Sequence, residues 1–231
     1  MNMAVNTPWK VLIFDWDGTL MDSEARIVNC LRTACLQHGF ADQHNDVYKN
    51  VIGLGLREAI RALQPAQTDD IIEQLAAEYR SRYMVSDTTP SALFAGVPEM
   101  LQTLEDAGYW LAIATGKGRE GLNQVLEQTG LQQRFHVTRC ASETLSKPHP
   151  QMLEEILDQL GLHARDALMI GDTEYDMEMA RNIGMDALAV SYGVHSPERL
   201  KKYKPIACLD NIAHLPDFLL NLPTTKTGIQ S

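Results

Sequence analysis

The stretch Phe14-Asp15-Trp16-Asp17-Gly18-Thr19-Leu20 indicates how this chain of 231 residues folds. It begins at the end of an apolar run over residues 11–14, which stops abruptly at the first carboxylate. Continuous rather than alternating hydrophobicity is typical of a strand whose sheet is covered by helices on both faces. Asp15 and Asp17 are two residues apart, so both carboxylates leave the same face of an extended segment. We therefore expect an acidic pair at the end of a buried strand, and the alternative is a solvated acidic turn.

Similar apolar runs of strand length recur further along the chain, at residues 111–114, 167–170 and 187–190. Between and around them lie helical patterns, at residues 98–108, 118–130, 150–160 and 175–183. Strands that alternate with helices predict an α/β fold, here a doubly wound, Rossmann-like parallel sheet.

Residues 22–91 break this alternation, because they hold helical patterns and no convincing strand. The patterns cover residues 23–38, 46–52 and 56–63 and a longer segment after Thr68, the expected N-cap. Residues 86–91 resemble a linker back to the sheet. We predict an inserted α-helical cap domain at residues 22–91 and a core formed by residues 1–21 and 92–231. The polar segments 1–8 and 223–231 are expected to be frayed ends.

The composition is that of a globular protein, with 45% hydrophobic and 22% charged residues and a net charge of -10. The negative field disfavours nucleic acid and anionic membranes as partners. Residues 1–231 show no signal-peptide pattern and no apolar run of membrane-spanning length, so we expect a cytoplasmic protein. The four cysteines lack the spacing of a zinc site, and we expect reduced thiols.

Polar residues at the strand ends are expected to converge, because ligands of open parallel sheets bind beyond the carboxyl ends of the strands. These residues are Asp15, Asp17, Thr115, Gly116, Gly171 and Asp172. Any one of them alone is readily explained as a turn residue or a helix cap. Their recurrence at successive strand ends favours a shared cleft.

The acidic cleft predicts a cation if its substrate is a phosphate monoester, because a carboxylate that attacks phosphate brings two anions together. Asp15 and Asp172 supply hard oxygen ligands suited to Mg²⁺. No His or Cys accompanies them, which disfavours Zn²⁺.

Positive charge is expected from Lys147, which lies in Ser146-Lys147-Pro148-His149-Pro150 just before a helix. Its ammonium could reach the cleft, and the alternative is a solvated surface lysine. His149 is interpreted as structural.

Thr115-Gly116-Lys117-Gly118 opens a helix and offers a hydroxyl and free backbone N–H groups to an anion. Lys117 either adds positive charge or is solvated.

Asp176 and Arg57 each have a functional and a structural interpretation, and the segment that begins at His195 has a structural one. Asp176 could hydrogen-bond a metal-bound water or stabilise the N-terminus of its helix. Arg57, after Gly53-Leu54-Gly55-Leu56, could contact a second anionic group of a substrate or be a surface arginine. His195-Ser196-Pro197-Glu198 is interpreted as a helix start.

In combination, these motifs resemble the haloacid dehalogenase superfamily of phosphohydrolases over nearly the whole chain. Residues 15–20 are similar to its first motif, Thr115-Gly116 to its second, Lys147-Pro148 to its third and residues 171–176 to its fourth. The position of the cap resembles the subfamily of phosphoglycolate phosphatase and β-phosphoglucomutase. Trp16 departs from the smaller aliphatic residue common in that motif.

The resemblance implies a Mg²⁺-dependent phosphatase that acts on a small phosphorylated metabolite, as a monomer or homodimer. Asp15 would form an aspartyl-phosphate and Asp17 would act as acid and base. Mg²⁺ would be held by Asp15, Asp172 and the backbone carbonyl of Asp17, with Asp176 supporting it. Thr115, Gly116 and Lys147 would bind the transferring group, and Arg57 another part of the substrate.

Two alternatives remain open. A phosphomutase would use the same nucleophile and return the phosphoryl group to a second hydroxyl. A non-catalytic protein that binds phosphorylated metabolites would keep the site but release no phosphate, although all four motifs retain reactive residue types.

Overall fold

The computed structural model describes residues 7–222 of the chain. The predicted frayed ends, residues 1–8 and 223–231, lie outside this range except for Thr7 and Pro8. Across residues 7–222, none of the helices is both long and apolar enough to cross a membrane. The cysteines are free thiols, as expected, and Cys30, Cys35 and Cys140 are buried.

Strands and helices alternate along the chain outside one helical segment. The strands are β1 (Val11–Phe14), β2 (Met21–Asp22), β3 (Ala92–Leu93), β4 (Trp110–Thr115), β5 (Val137–Cys140), β6 (Ala167–Gly171), β7 (Asp186–Val190) and β8 (Cys208–Leu209). The helices are α1 (Glu24–Gln37), α2 (Asn45–Lys49), α3 (Leu56–Leu63), α4 (Asp69–Ser81), α5 (Val97–Asp106), α6 (Arg119–Thr129), α7 (Gln151–Leu160), α8 (Glu174–Asn182), α9 (Pro197–Leu200) and α10 (Leu215–Leu220). A π-helical turn, Arg82–Ser86, extends α4.

A six-stranded parallel sheet lies at the centre of the described chain, in the order β5-β4-β1-β6-β7-β8. Strand β1 pairs with both β4 and β6, so that Val11 lies beside Trp110 on one side and Ala167 on the other. This confirms the predicted α/β fold with a Rossmann-like parallel sheet.

Both faces of the sheet are covered, which explains the continuous hydrophobicity of β1. Leu12 and Phe14 belong to an apolar cluster with side chains of α5 and α6, whereas Val11 and Ile13 belong to a second cluster with α7 and α8. All four side chains of the strand are fully buried. A strand enclosed on both faces has no solvent side, so its sequence does not alternate.

Strands β5 and β8 are absent from the sequence prediction. Both lie at the edges of the sheet, and Thr138 and Arg139 of β5 are only half-buried. A short edge strand with polar residues has no continuous apolar run to reveal it.

Helices α1 to α4 pack around an apolar cluster of their own, which includes Ile27, Ile60, Ile72 and Leu75. Helix α2 ends at Lys49, three residues before the predicted end at Ile52. The chain enters and leaves this helical segment through β2 and β3, an antiparallel pair in which Met21 lies opposite Leu93. The sequence did not predict this two-residue ladder, which holds the chain segments that enter and leave the helical segment side by side.

The packing of the helical segment makes a prediction for stability. Leu75 on α4 is fully buried in its cluster, so Leu75→Ala should lower the free energy of unfolding by about 2–5 kcal/mol. Leu36 on α1 is 44% exposed, and Leu36→Ala should change it by less than about 0.5 kcal/mol. Urea denaturation measures both, and equal losses would contradict the assigned packing.

Candidate active site

The predicted residues converge at the carboxyl ends of three neighbouring strands. Asp15 follows β1, Thr115 ends β4 and Asp172 follows β6, and these strands lie side by side in the sheet. Lys147 reaches the same point from the loop before α7. All four side chains are buried. The loop and strand ends therefore form one site.

Three carboxylates and one ammonium lie together at this site. Oxygens of Asp15, Asp172 and Asp176 all lie within 4.8 Å of one another. The Nζ of Lys147 lies 2.9 Å from Oδ1 of Asp15 and 2.6 Å from Oδ1 of Asp176. Its side chain has no exposed surface. The alternative of a solvated surface lysine is therefore wrong, because Lys147 is held between two buried carboxylates.

The two oxygens of Asp15 have different surroundings. Oδ1 accepts hydrogen bonds from the backbone N–H of Trp16 at 2.6 Å and from Lys147. Oδ2 is buried and has no hydrogen-bond partner within residues 7–222. A buried carboxylate oxygen left without a partner is costly, so it marks a place where a ligand or a metal ion belongs.

Asp172 is fixed in place by hydrogen bonds to both of its oxygens. The hydroxyl of Thr19 donates to Oδ1 and the backbone N–H of Val194 donates to Oδ2, each at 2.8 Å. A Cβ at Gly18 or Gly193 would overlap its carboxyl group. Gly18 also has a φ of +81°, which disfavours other residues. The site thus needs glycine at both positions to admit the carboxylate.

Asp176 stabilises the start of α8 and also belongs to the carboxylate cluster. Its Oδ2 accepts hydrogen bonds from the backbone N–H and the hydroxyl of Thr173, at 3.1 and 2.7 Å, in a capping box. Its Oδ1 accepts from Lys147. The helix-start interpretation is therefore confirmed, and a supporting role toward a metal ion stays a prediction.

Burial and the neighbouring charges together shift the pKa values of the site's titratable groups. Burial, together with repulsion from Asp176, raises the pKa of Asp172 to about 7. Burial also raises the pKa of Asp15 well above its usual range, against the opposing effect of Lys147. Burial lowers the pKa of Lys147, but Asp15 and Asp176 outweigh it, so the net shift is upward and the lysine stays charged.

This donor set fits a divalent cation of the Mg²⁺ type. The ligands are carboxylate oxygens of Asp15, Asp172 and Asp176, without an accompanying imidazole or thiolate. One ammonium cannot balance three buried carboxylates, and a divalent ion would supply the missing positive charge.

Asp17 lies apart from the carboxylate cluster, in a second buried network. Its Oδ1 lies 3.1 Å from Nζ of Lys117 and accepts a hydrogen bond from the hydroxyl of Ser23 at 2.7 Å. Lys117 also contacts Tyr83, with its Nζ 3.1 Å from the hydroxyl and 4.4 Å from the ring centroid. Lys117 is only 7% exposed, so the alternative of a solvated lysine is wrong.

The sequence did not predict Ser23 and Tyr83 as site residues, because each belongs to an ordinary helical pattern until the fold brings Ser23 to Asp17 and Tyr83 to Lys117. Ser23 precedes α1 but makes no capping hydrogen bond, since its hydroxyl is used by Asp17. That departure from a normal cap is visible only in the structure.

Thr115-Gly116, which resembles the second motif of the family, lies against the helical segment. The hydroxyl of Thr115 accepts a hydrogen bond from the backbone N–H of Lys117 at 3.2 Å. A Cβ at Gly116 would collide with the backbone carbonyls of Gly53 and Leu54. Glycine is therefore required where the loop of residues 53–55 packs onto the sheet end.

A cavity of about 620 Å³ extends from Asp15 and Asp17 into the helical segment. Thr115, Gly116 and Arg57 all contribute to its wall. Arg57 has a half-exposed side chain, and its Nε lies 2.7 Å from Oε1 of Glu73. Whether it contacts substrate stays a prediction, but it already has an acidic partner.

The sequence and the fold were compared with known proteins. The model of the family described as haloacid dehalogenase-like hydrolase matches residues 12–190. The chain belongs to the haloacid dehalogenase-like hydrolase family. A relative from Dickeya dadantii, named a probable phosphatase, IndB, is 32% identical over 89% of this chain and 91% of its own length. The N-acetylmuramic acid 6-phosphate phosphatase of Pseudomonas aeruginosa is 30% identical over 82% of this chain and 84% of its own length.

The solved structure of a hydrolase from Pseudomonas syringae has the same fold, with a TM-score of 0.84 and 22% identity over 92% of this chain and 98% of its own. The predicted family and the prediction that this chain is an enzyme of the phosphatase type are confirmed by the family match and the named relatives.

Two histidines were predicted to be structural in this haloacid dehalogenase-like hydrolase. His149 is exposed, whereas His195 is only 3% exposed and its Nδ1 accepts a hydrogen bond from the backbone N–H of Glu174 at 3.0 Å. Burial and the nearby Arg199 lower the pKa of His195 to about 4, so it is neutral. Helix α9 begins as predicted, with Ser196 at the N-cap. The sequence did not indicate that His195 is packed behind the fourth motif.

The raised pKa of Asp172 predicts how pH affects the metal-free protein. A folded-state pKa of about 7, against 3.8 for an ordinary aspartate, means that the folded protein binds this proton more tightly. The contribution of this group to stability is therefore present below about pH 4 and is lost as the pH rises toward 7. Mg²⁺ competes with that proton, so it should raise the melting temperature more at pH 8 than at pH 6.

Thermal unfolding with and without Mg²⁺ tests this prediction. Asp172→Asn should remove most of the metal-dependent rise, whereas Asp158→Asn, an exposed position on α7, should keep it. An equal rise in melting temperature for the Asp172→Asn protein would rule out the assigned metal site.

Proposed function

We propose that this chain is a Mg²⁺-dependent phosphatase that hydrolyses small-molecule phosphate monoesters through an aspartyl-phosphate on Asp15. The observation that carries the proposal is Oδ2 of Asp15, a buried carboxylate oxygen without a hydrogen-bond partner in the described chain. Its other oxygen is held by Trp16 and Lys147, so the side chain cannot rotate freely. A nucleophile fixed in this way faces the substrate at little entropic cost.

In the first step, Oδ2 of Asp15 attacks phosphorus and the bond from phosphorus to the leaving oxygen breaks. Lys147 neutralises the approaching negative charge, since its ammonium contacts the attacking carboxylate. The hydroxyl of Thr115 and the backbone N–H of Gly116 bind the transferring group at the end of β4.

Asp17 carries the proton in both steps. It protonates the leaving oxygen in the first step and then takes a proton from the water that attacks phosphorus of the aspartyl-phosphate. That second attack releases inorganic phosphate and restores Asp15. Lys117 and Ser23 hold the carboxyl of Asp17 in one orientation through their contacts with Oδ1.

Mg²⁺ would be held by Asp15, Asp172 and the backbone carbonyl of Asp17, with Asp176 as support. When bound, the ion supplies Lewis-acid stabilisation of charge on the phosphate oxygens. Thr19 and Val194 orient Asp172 for that role.

We further propose that residues 22–91 act as a cap domain on a core of residues 1–21 and 92–231. The cap contacts the core through the backbone N–H of Gly55, which donates to Ser146 at 2.7 Å, and through Tyr175, whose hydroxyl donates to the carbonyl of Asn50 at 2.7 Å. A closed cap excludes water from the nucleophile.

The net charge of -10 supports a small metabolite, rather than nucleic acid or a membrane, as the partner. The cytoplasm remains the proposed location, and monomer or homodimer the proposed state.

Two substitutions separate the roles of the carboxylates. Asp15→Asn should lower turnover by at least about a thousandfold, because the nucleophile is lost. Asp17→Asn should still release p-nitrophenol in a burst from p-nitrophenyl phosphate, because this leaving group needs no proton, but its steady-state hydrolysis should be slow.

Rapid-quench kinetics measures both effects, and Asp158→Asn serves as an exposed acidic control. Substantial turnover by the Asp15→Asn protein would contradict the nucleophile assignment. With a sugar phosphate, an isomer formed without free phosphate would indicate the phosphomutase instead.

A further inference from the structure

The cavity beyond Asp15 and Asp17 is large for the smallest phosphate esters. Its volume of about 620 Å³ lies within the range of about 300–1,000 Å³ that is typical of pockets for whole small-molecule ligands. A leaving group of two carbons would fill little of this space. The size of the cavity therefore indicates a bulkier alcohol.

The cap side of the cavity wall is mostly apolar. Its aliphatic side chains come from α1, α3 and the segment between α2 and α3, and they include Ile27, Leu31, Val51, Ile52, Leu56 and Ala59. Tyr79 and Tyr83 stack on each other at 5.7 Å and add aromatic surface. A wall of this kind binds an apolar face and gives no compensation for a charge that loses its water.

The basic residues of the wall are mostly paired with carboxylates. Arg57 pairs with Glu73 at 2.7 Å, and Lys117 pairs with Asp17 at 3.1 Å. Arg119 binds both oxygens of Glu143, at 2.8 and 2.7 Å.

The fourth basic residue, Arg80, is exposed. Carboxylates in the wall outnumber the four basic side chains, since Asp15, Asp17, Glu58, Glu73 and Glu120 all contribute. A second anionic group on a substrate would meet this negative charge.

We propose that this cavity selects phosphate monoesters of bulky, uncharged alcohols with an apolar face and discriminates against substrates that carry a second anionic group. The proposal rests on the phosphatase activity proposed above and names its substrate class. Arg57 then acts as a neutralised part of the wall, held by Glu73, rather than as the receptor for a second anion. Discrimination arises because three of the four basic side chains in the wall are already paired with carboxylates, so a second charge would lose its water and meet only the exposed Arg80.

A matched pair of substrates tests the proposal on the intact protein with Mg²⁺. Benzyl phosphate and 4-carboxybenzyl phosphate have similar leaving oxygens and differ by one carboxylate, and phosphoglycolate adds a small anionic ester. We expect kcat/KM for benzyl phosphate to exceed that of each of the other two by about tenfold or more.

Equal or faster hydrolysis of 4-carboxybenzyl phosphate would overturn the substrate class while leaving the phosphatase intact. If none of the three esters released phosphate, the proposed function itself would fail, and the inference with it.

A pair of substitutions tests the role of Glu73. Glu73→Gln removes the carboxylate that neutralises Arg57, so the preference for benzyl phosphate over 4-carboxybenzyl phosphate should fall by about fivefold. Glu78→Gln is the matched control, because Glu78 lies on the same helix, pairs with Nε of Arg82 at the same 2.7 Å and does not line the cavity. The Glu78→Gln protein should keep the wild-type ratio of kcat/KM for benzyl phosphate to kcat/KM for 4-carboxybenzyl phosphate. An unchanged ratio in the Glu73→Gln protein would contradict the neutralisation of Arg57.

Discussion

The buried ion pairs of Lys147 are the interaction on which the rest of the site depends. One ammonium contacts Asp15 at 2.9 Å and Asp176 at 2.6 Å, and none of the three side chains is exposed by more than 1%. A charge buried alone would be strongly unfavourable, so each partner requires the others. The lysine also joins three elements, since it connects the end of β1 and the start of α8 to the loop before α7. Because one lysine does not balance three carboxylates, the same arrangement creates the demand for a metal ion.

A second network connects this site to the helical segment that contains α1 to α4. Lys117 follows Thr115-Gly116, contacts Asp17 and lies over the ring of Tyr83, which belongs to the π-helical turn that extends α4. Asp17, the residue proposed to carry the proton, is thus linked through Lys117 to a side chain of the helical segment. The loop of residues 53–55 also packs against Gly116, where the structure has no room for a Cβ. In the proposed mechanism, substrate choice and proton transfer therefore depend on the strand ends and on the helical segment together.

The sequence predicted those features that depend on local patterns. Continuous hydrophobicity predicted β1, and helical periodicity with its end signals predicted α5 to α8. The geometry of parallel sheets predicted that Asp15, Thr115 and Asp172 converge. The sequence did not predict pairs that form over long separations, such as Ser23 with Asp17 or Arg57 with Glu73, because neither partner has a distinctive local pattern. Whether Lys117 and Lys147 are solvated or buried was also left open, since burial of a charge depends on the partners that the fold supplies.

In the proposed mechanism, the carboxylate of Asp15 attacks phosphorus and carries the phosphoryl group between the two steps. The most direct test is to quench the protein with acid during turnover of a phosphate monoester and to locate the phosphoryl group by peptide mass spectrometry. We expect a labile phosphoryl group on the peptide that contains Asp15, and its loss in the Asp15→Asn protein. A phosphoryl group on any other residue, or the same labelled peptide in the Asp15→Asn protein, would contradict it.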